Sequence, residues 1–170
     1  SGIAYWNGKL YGHEDSGNSP VIFEIDSTTG LIIKTITIGG ATNVDWEDIT
    51  QDDTHLYIGD FGNNINGSRK DLKFYKVPKQ SILNITGSAG TIPAGDIQVI
   101  NFAYEDQSTF CPVDFTCTSN NTQFDCEAVI YDNGKLHLFT KNWVTGYTVH
   151  YTIPATAGTY TATKLDNLAT

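Results

Sequence analysis

Two short motifs carry the most distinctive chemistry in this chain. Asp45-Trp46-Glu47 and Asp125-Cys126-Glu127 each set two carboxylates two residues apart. In an extended strand, residues i and i+2 project from one face, so each pair presents both acids to the same side. Asp45 and Glu47 are thus expected on one face, with Trp46 and Asp48 on the other. Asp60 closes the next extended run, beside Gly59, Gly62, Asn63 and Asn64. Glu14 holds the corresponding place nearer the start, flanked by His13 and Asp15. Converging carboxylates repel one another, and removal from water strengthens the repulsion. Three arrangements relieve it. In the first, loop N–H groups and hydroxyls donate hydrogen bonds to each acid. In the second, a hard cation sits among them. Ca²⁺ suits oxygen ligands, and Asp45, Glu47, Asp60, Asp125 and Glu127 are the candidates. In the third, the acids are catalytic, with His13 and Glu14 as the weak candidate acid–base pair.

Other chemistries have less support. His13, His55, His137 and His150 are scattered, with no HxH or HExxH spacing to suggest zinc. Ser16 lies in Asp-Ser-Gly rather than in a GxSxG elbow. Arg69, Lys70 and Lys73 read as a solvated turn rather than a phosphate site. Trp6 and Trp143 flank turns, where an exposed ring would suit sugar stacking, whereas Trp46 reads as packing. Cys111 and Cys117, with five residues between them in a polar loop, either close a disulfide in an oxidising compartment or stay as free thiols. Cys126 alternates with two acids and reads as a small buried hydrophobe.

Composition narrows the partners. The 170 residues carry 19 acidic and 10 basic side chains, a net charge of -9, and Arg69 is the only arginine. That balance disfavours nucleic acid and anionic membrane surfaces, which need a basic face. No apolar run approaches the roughly 18–20 residues that span a bilayer. With 39% hydrophobic and 17% charged residues, the chain reads as one packed globular unit.

The elements that must position the acids are strands. Short alternating runs bounded by Gly, Asn, Asp and Pro fall into three sets. The first comprises Ile3–Trp6, Leu10–Gly12, Val21–Ile25 and Ile32–Ile38, with Asn7-Gly8 as a hairpin turn. The second is Trp46–Gln51, Leu56–Gly59, Leu72–Val77 and Ile97–Tyr104. The third is Glu127–Tyr131, Lys135–Thr140, Thr148–Ile153 and Thr159–Lys164. At most one helical turn is expected, at Ser81–Leu83. Asp45 precedes Leu56 by the same interval that separates Asp125 from Leu136. An aromatic strand follows in each set. A four-stranded unit repeated about three times implies an all-β, β-propeller-like fold with antiparallel blades over residues 1–42, 43–105 and 124–170. Residues 81–95 and 106–123 are insertions. Three blades leave open edges, so the chain is expected to belong to a larger propeller, or to be completed by a partner chain.

Specific strings reinforce this picture. Asn43-Val44-Asp45-Trp46-Glu47-Asp48-Ile49-Thr50, Leu56–Asn64, Asp71–Pro78, His13–Gly17, Phe124–Ala128 and Leu138–Trp143 together resemble a family of secreted β-propellers common in Bacteroidetes, particularly flavobacteria. Members of that family often carry a sorting domain for type IX secretion. More distantly the chain is similar to calcium-bearing lactonase-type and phytase-like propellers. The resemblance implies a propeller fold and a secreted or cell-surface location. Two functions are compatible with it. One is a non-catalytic binding or scaffold module, calcium-stabilised, facing a glycan, the cell envelope or another protein. The other is a metal-dependent lactonase-, esterase- or phytase-like hydrolase working at the channel mouth.

Overall fold

The structure, a computed structural model, describes residues 1–110 and 120–168, so the proposed Cys111–Cys117 pair lies outside the described residues. The fold is all-β. Strands β1 (Ile3–Trp6), β2 (Lys9–His13), β3 (Val21–Asp26) and β4 (Ile32–Ile38) form one antiparallel meander. Asn7 and Gly8 join β1 to β2 with φ of 51° and 73°. Both lie in the left-handed region that a two-residue hairpin requires. A second meander contains β5 (Trp46–Gln51), β6 (His55–Asp60) and β7 (Lys73–Pro78), followed by a five-residue helix, α1 (Lys79–Leu83). The chain then forms β8 (Ala89–Ile92) before β9 (Gln98–Tyr104) completes the second unit against β7. The third meander is β10 (Asp125–Asp132), β11 (Lys135–Lys141), β12 (Thr148–Pro154) and β13 (Gly158–Leu168).

The segment expected to be an insertion, residues 81–95, has a structural task. It crosses to the first unit, where β8 pairs in parallel with β4 and makes a five-stranded sheet. The last strands of units two and three also pair in parallel, Gly158 with Ile100 through Ala162 with Tyr104. This merges both meanders into one eight-stranded sheet, ordered β10-β11-β12-β13-β9-β7-β6-β5. That sheet is nearly barrel-shaped, because its two end strands, β5 and β10, lie side by side. Neither parallel pairing was legible as alternation, since each depends on a neighbouring unit.

Two apolar cores separate the three meanders. One lies between units one and two and contains Tyr11, Ile22, Ile36, Trp46, Ile58 and Val77. The other fills the curled sheet with Tyr57, Phe74, Phe102, Leu138 and Tyr151. Cys126 is fully buried in the second core as a free thiol, as its alternation implied. Trp46 is fully buried and its indole N–H donates to the Thr42 carbonyl at 2.9 Å.

Side chains, not a backbone ladder, close the seam between β5 and β10. The Val129 N–H donates to Asp48 Oδ2 at 2.9 Å, and the Tyr131 N–H donates to Thr50 Oγ1 at 3.1 Å. Asp48 and Trp46 therefore face opposite units, contrary to simple alternation. The cause is a β-bulge between them: Trp46 pairs with Asp60 and Asp48 with Gly59, leaving Glu47 unpaired in the ladder. Asp48→Ala would strand the Val129 N–H. We expect a loss of about 1–3 kcal/mol, the usual cost of an unpaired buried donor. Urea melts would read it, and an unchanged midpoint would show that the seam does not depend on Asp48.

Candidate functional site

The acidic residues collect at one end of the strands. Asp45 immediately precedes β5, Asp60 ends β6, and Asp125 begins β10. Asp15 stands on the β2–β3 connection, which Asn43 ties down through its amide N–H donated to the Glu14 and Asp15 carbonyls. Glu47 and Glu127 both occupy bulges. The β10 register skips from Cys126 to Ala128 just as β5 skips from Trp46 to Asp48. A bulge re-aims its extra side chain. The two Asp-x-Glu motifs thus repeat in conformation as well as in sequence.

Four of the five candidate cation ligands fall into two groups, and Glu127 stands outside both. Asp60 and Asp125 are fully buried and serve as struts. Asp60 Oδ1 accepts the Asp45 N–H at 3.0 Å and the Arg69 guanidinium at 2.9 Å. Asp60 Oδ2 is buried without a hydrogen-bond partner. Asp125 Oδ1 accepts the Asn63 N–H, and its Oδ2 accepts the Trp143 indole N–H, each at 2.8 Å. Through Asp125 the third unit holds the β6–β7 loop of the second. Arg69, which reads from sequence as part of a solvated turn, is mostly buried. It donates to Asp60, Asp71 and the Gly62 carbonyl.

Asp45, Glu47 and Asp15 form the second group. One carboxylate oxygen from each lies within 4.8 Å of the others. A Cβ on Gly62 would fall 2.3 Å from Asp45 Oδ2 and 2.6 Å from Glu47 Oε1, so only glycine lets the two acids lie across that backbone. Asp15 is the member of this group that the sequence reading does not include among the candidate ligands. Its signal was positional: the residues after β2 must emerge at the end where β5 starts.

Burial and mutual repulsion perturb this group. Burial, then the Glu127 and Asp45 charges, pushes Glu47 up to about 8 from an ordinary 4.5. Glu127 rises to about 7 through burial and Asp125, with Lys141 opposing at 3.8 Å. Asp45 is raised chiefly by burial, with the Arg69 charge opposing. A cleft of about 320 Å³ adjoins the cluster, lined by Asp15, Asp45, Asn63, Asn64, Ser68 and Arg69.

The weak catalytic candidates sit differently. His13 is 5% exposed, and both ring nitrogens are engaged: Nε2 accepts the Gly2 N–H at 3.2 Å, and Nδ1 meets the Glu14 carbonyl at 3.0 Å. Its ring also packs edge-on against Trp46. Glu14 is exposed, outside the close Asp15–Asp45–Glu47 group. Lysine ammonium groups lie over the rings of Trp6, at 5.1 Å, and Trp143, at 3.9 Å. His137 and His150, far apart in sequence, meet at 2.9 Å. No family model matches the chain, and no curated protein matches it.

The raised acids fix a pH dependence for the metal-free protein. Glu47 and Glu127 bind protons more tightly folded than unfolded. Through these two acids stability falls as pH rises between about 4.5 and 8, while burial lowers His13, His55 and His137 below the ordinary 6.5 and opposes the fall in acid, so the net fall lies above about pH 6.5. Glu47→Gln should remove most of the slope. In chelator at pH 8 it should be more stable than the wild type by roughly 2–4 kcal/mol, at about 1.4 kcal/mol per pKa unit. A wild-type melting temperature that is flat from pH 6.5 to pH 8 in chelator would refute this.

Proposed function

We propose that the chain is three blades of a larger β-propeller, acting outside the cell as a non-catalytic binding module whose acidic mouth holds a Ca²⁺-type cation. The observation that carries the reading is the meeting of Asp15, Asp45 and Glu47, from two different units, within 4.8 Å. Nearby Arg69 already donates to Asp60, Asp71 and the Gly62 carbonyl. The nearest remedy for the repulsion is then a proton on Glu47 or a cation. Carboxylate oxygens favour a hard ion, and extracellular calcium is abundant enough for a modest site. Asp15, Asp45 and Glu47 would hold it, with Glu127 adding long-range attraction. Bound there, the ion would fasten the first unit's loop to the second unit.

The propeller reading draws on the packing of first strands, β1 beside β5 and β5 beside β10. It also draws on the outer faces of the end units. Ile3 and Tyr5 are 59% and 62% exposed on one, and Ile130 is 56% exposed on the other. Further blades, or a partner chain, would cover such faces. The net charge of -9 supports a partner other than nucleic acid. A glycan or a cell-envelope component fits the cleft's hydroxyl and amide lining.

The cleft is also the one feature that favours the hydrolase reading, because a substrate could reach a cation there. Against it, His13 has no free ring nitrogen to act as base. Calorimetry with Ca²⁺ tests the proposal. One ion per chain should bind with Kd on the order of 10⁻⁴–10⁻³ M, the range of extracellular modules. Asp45→Asn should weaken it at least tenfold. No binding heat together with unchanged melting in chelator would contradict the cation. Calcium-dependent turnover of lactone, ester or phosphoester substrates would replace the binding module with the hydrolase.

A further inference from the structure

The outer face of the third unit carries a second cluster with quite different chemistry. Register places Ile130 opposite His137, Phe139 opposite His150, and His150 opposite Asp166. Strand period two then puts Asp132 on the same face as Ile130, and His137 on the same face as Phe139. A diagonal row results, Asp132–His137–His150–Asp166, with one residue from each of β10, β11, β12 and β13. His137 Nδ1 lies 2.9 Å from His150 Nε2, and His150 Nδ1 lies 3.0 Å from Asp166 Oδ1. Phe139 stacks on the His150 ring at 4.7 Å between centroids, with planes 15° apart, which restrains its orientation.

The Asp166 contact settles the tautomer of His150. A carboxylate only accepts, so Nδ1 carries the proton and Nε2 presents a lone pair towards His137. A histidine whose far N–H is held by a carboxylate is the usual arrangement behind a metal-bound imidazole. In the structure the His150 Nε2 lone pair accepts the His137 Nδ1–H at 2.9 Å; an ion would take the place of this proton, which His137 would then carry on Nε2. Two nitrogens 2.9 Å apart subtend about 90° at an ion roughly 2.0–2.1 Å from each, the angle between neighbouring ligands of a square-planar or octahedral Cu²⁺ or Ni²⁺ ion, and tetrahedral Zn²⁺ would need them to part by a few tenths of an ångström.

We propose that His137 Nδ1 and His150 Nε2 form a binding site for a borderline divalent transition ion of the Zn²⁺, Ni²⁺ or Cu²⁺ class, with Asp166 as a positioning residue. Imidazole nitrogens select such ions over calcium. The site is separate from the acidic mouth in both residues and ligand chemistry. Asp132, on the next strand along the row, contributes negative charge beside His137. The sequence hid this cluster because its pairing runs across strands, the two histidines lying 13 positions apart.

Zinc titration of the chain in saturating Ca²⁺ tests the site and leaves the acidic mouth out of the readout. One Zn²⁺ per chain should bind, and the imidazole ¹⁵N resonances of His137 and His150 should shift while those of His55 stay. That measurement needs no variant, so folding does not confound it. His137→Ala and His150→Ala should each weaken Zn²⁺ at least tenfold. Asp166→Asn should weaken it by roughly 10–100-fold, the usual effect of losing such a partner. His55→Ala should change nothing. Absence of Zn²⁺ binding, unmoved His137 and His150 resonances, or wild-type affinity in both alanine variants would overturn the proposal.

Discussion

Units two and three share a backbone ladder at one side, β13 with β9, but meet at the other along a seam between β5 and β10 that side chains close, and the structure depends on that closure. Asp48 and Thr50 of β5 capture the N–H groups of Val129 and Tyr131 on β10. Asp125 and Asn63 join the same two units at the acidic end. Strand edges without partners invite misassociation, and here side-chain acceptors take the place of a neighbouring strand. The aromatic core of the curled sheet supplies the bulk of the cohesion. The polar contacts set the register between the units.

The same seam explains why the acids converge. For Asp48 to face β10 while Trp46 faces the first unit, one residue must drop out of the ladder, and that residue is Glu47. Glu127 drops out of β10 in the same way. The bulges thus turn a pattern of alternation into a crowded, half-desolvated group of carboxylates. Asp60 and Asp125 are tamed by Arg69, Asn63 and Trp143. Asp15 accepts only its neighbour's Ser16 N–H, and burial raises Asp45 and Glu47, so a proton or a cation would complete the group.

Much of this was legible in the residues. All twelve expected strands exist, several to the residue, because one buried face per strand enforces period-two alternation. Asp45 and Glu47 do meet at one end, as the motif implies, but the bulge at Glu47 rather than plain alternation brings them together. What failed were features that depend on a second unit. The run at Ala89–Ile92 becomes a strand only because β4 offers an edge. The bulges at Glu47 and Glu127 invert the expected side of Asp48. Arg69 reads as surface until Asp60 is seen beside it. The His137–His150 contact follows from hairpin register, which a linear motif does not encode.

A crystal structure grown in millimolar CaCl₂ would measure the central claim most directly. The claim predicts an ion between Asp15, Asp45 and Glu47, with carboxylate oxygens about 2.3–2.6 Å away. Full density for three ordered carboxylates with no ion between them, or side chains turned apart into solvent, would contradict it.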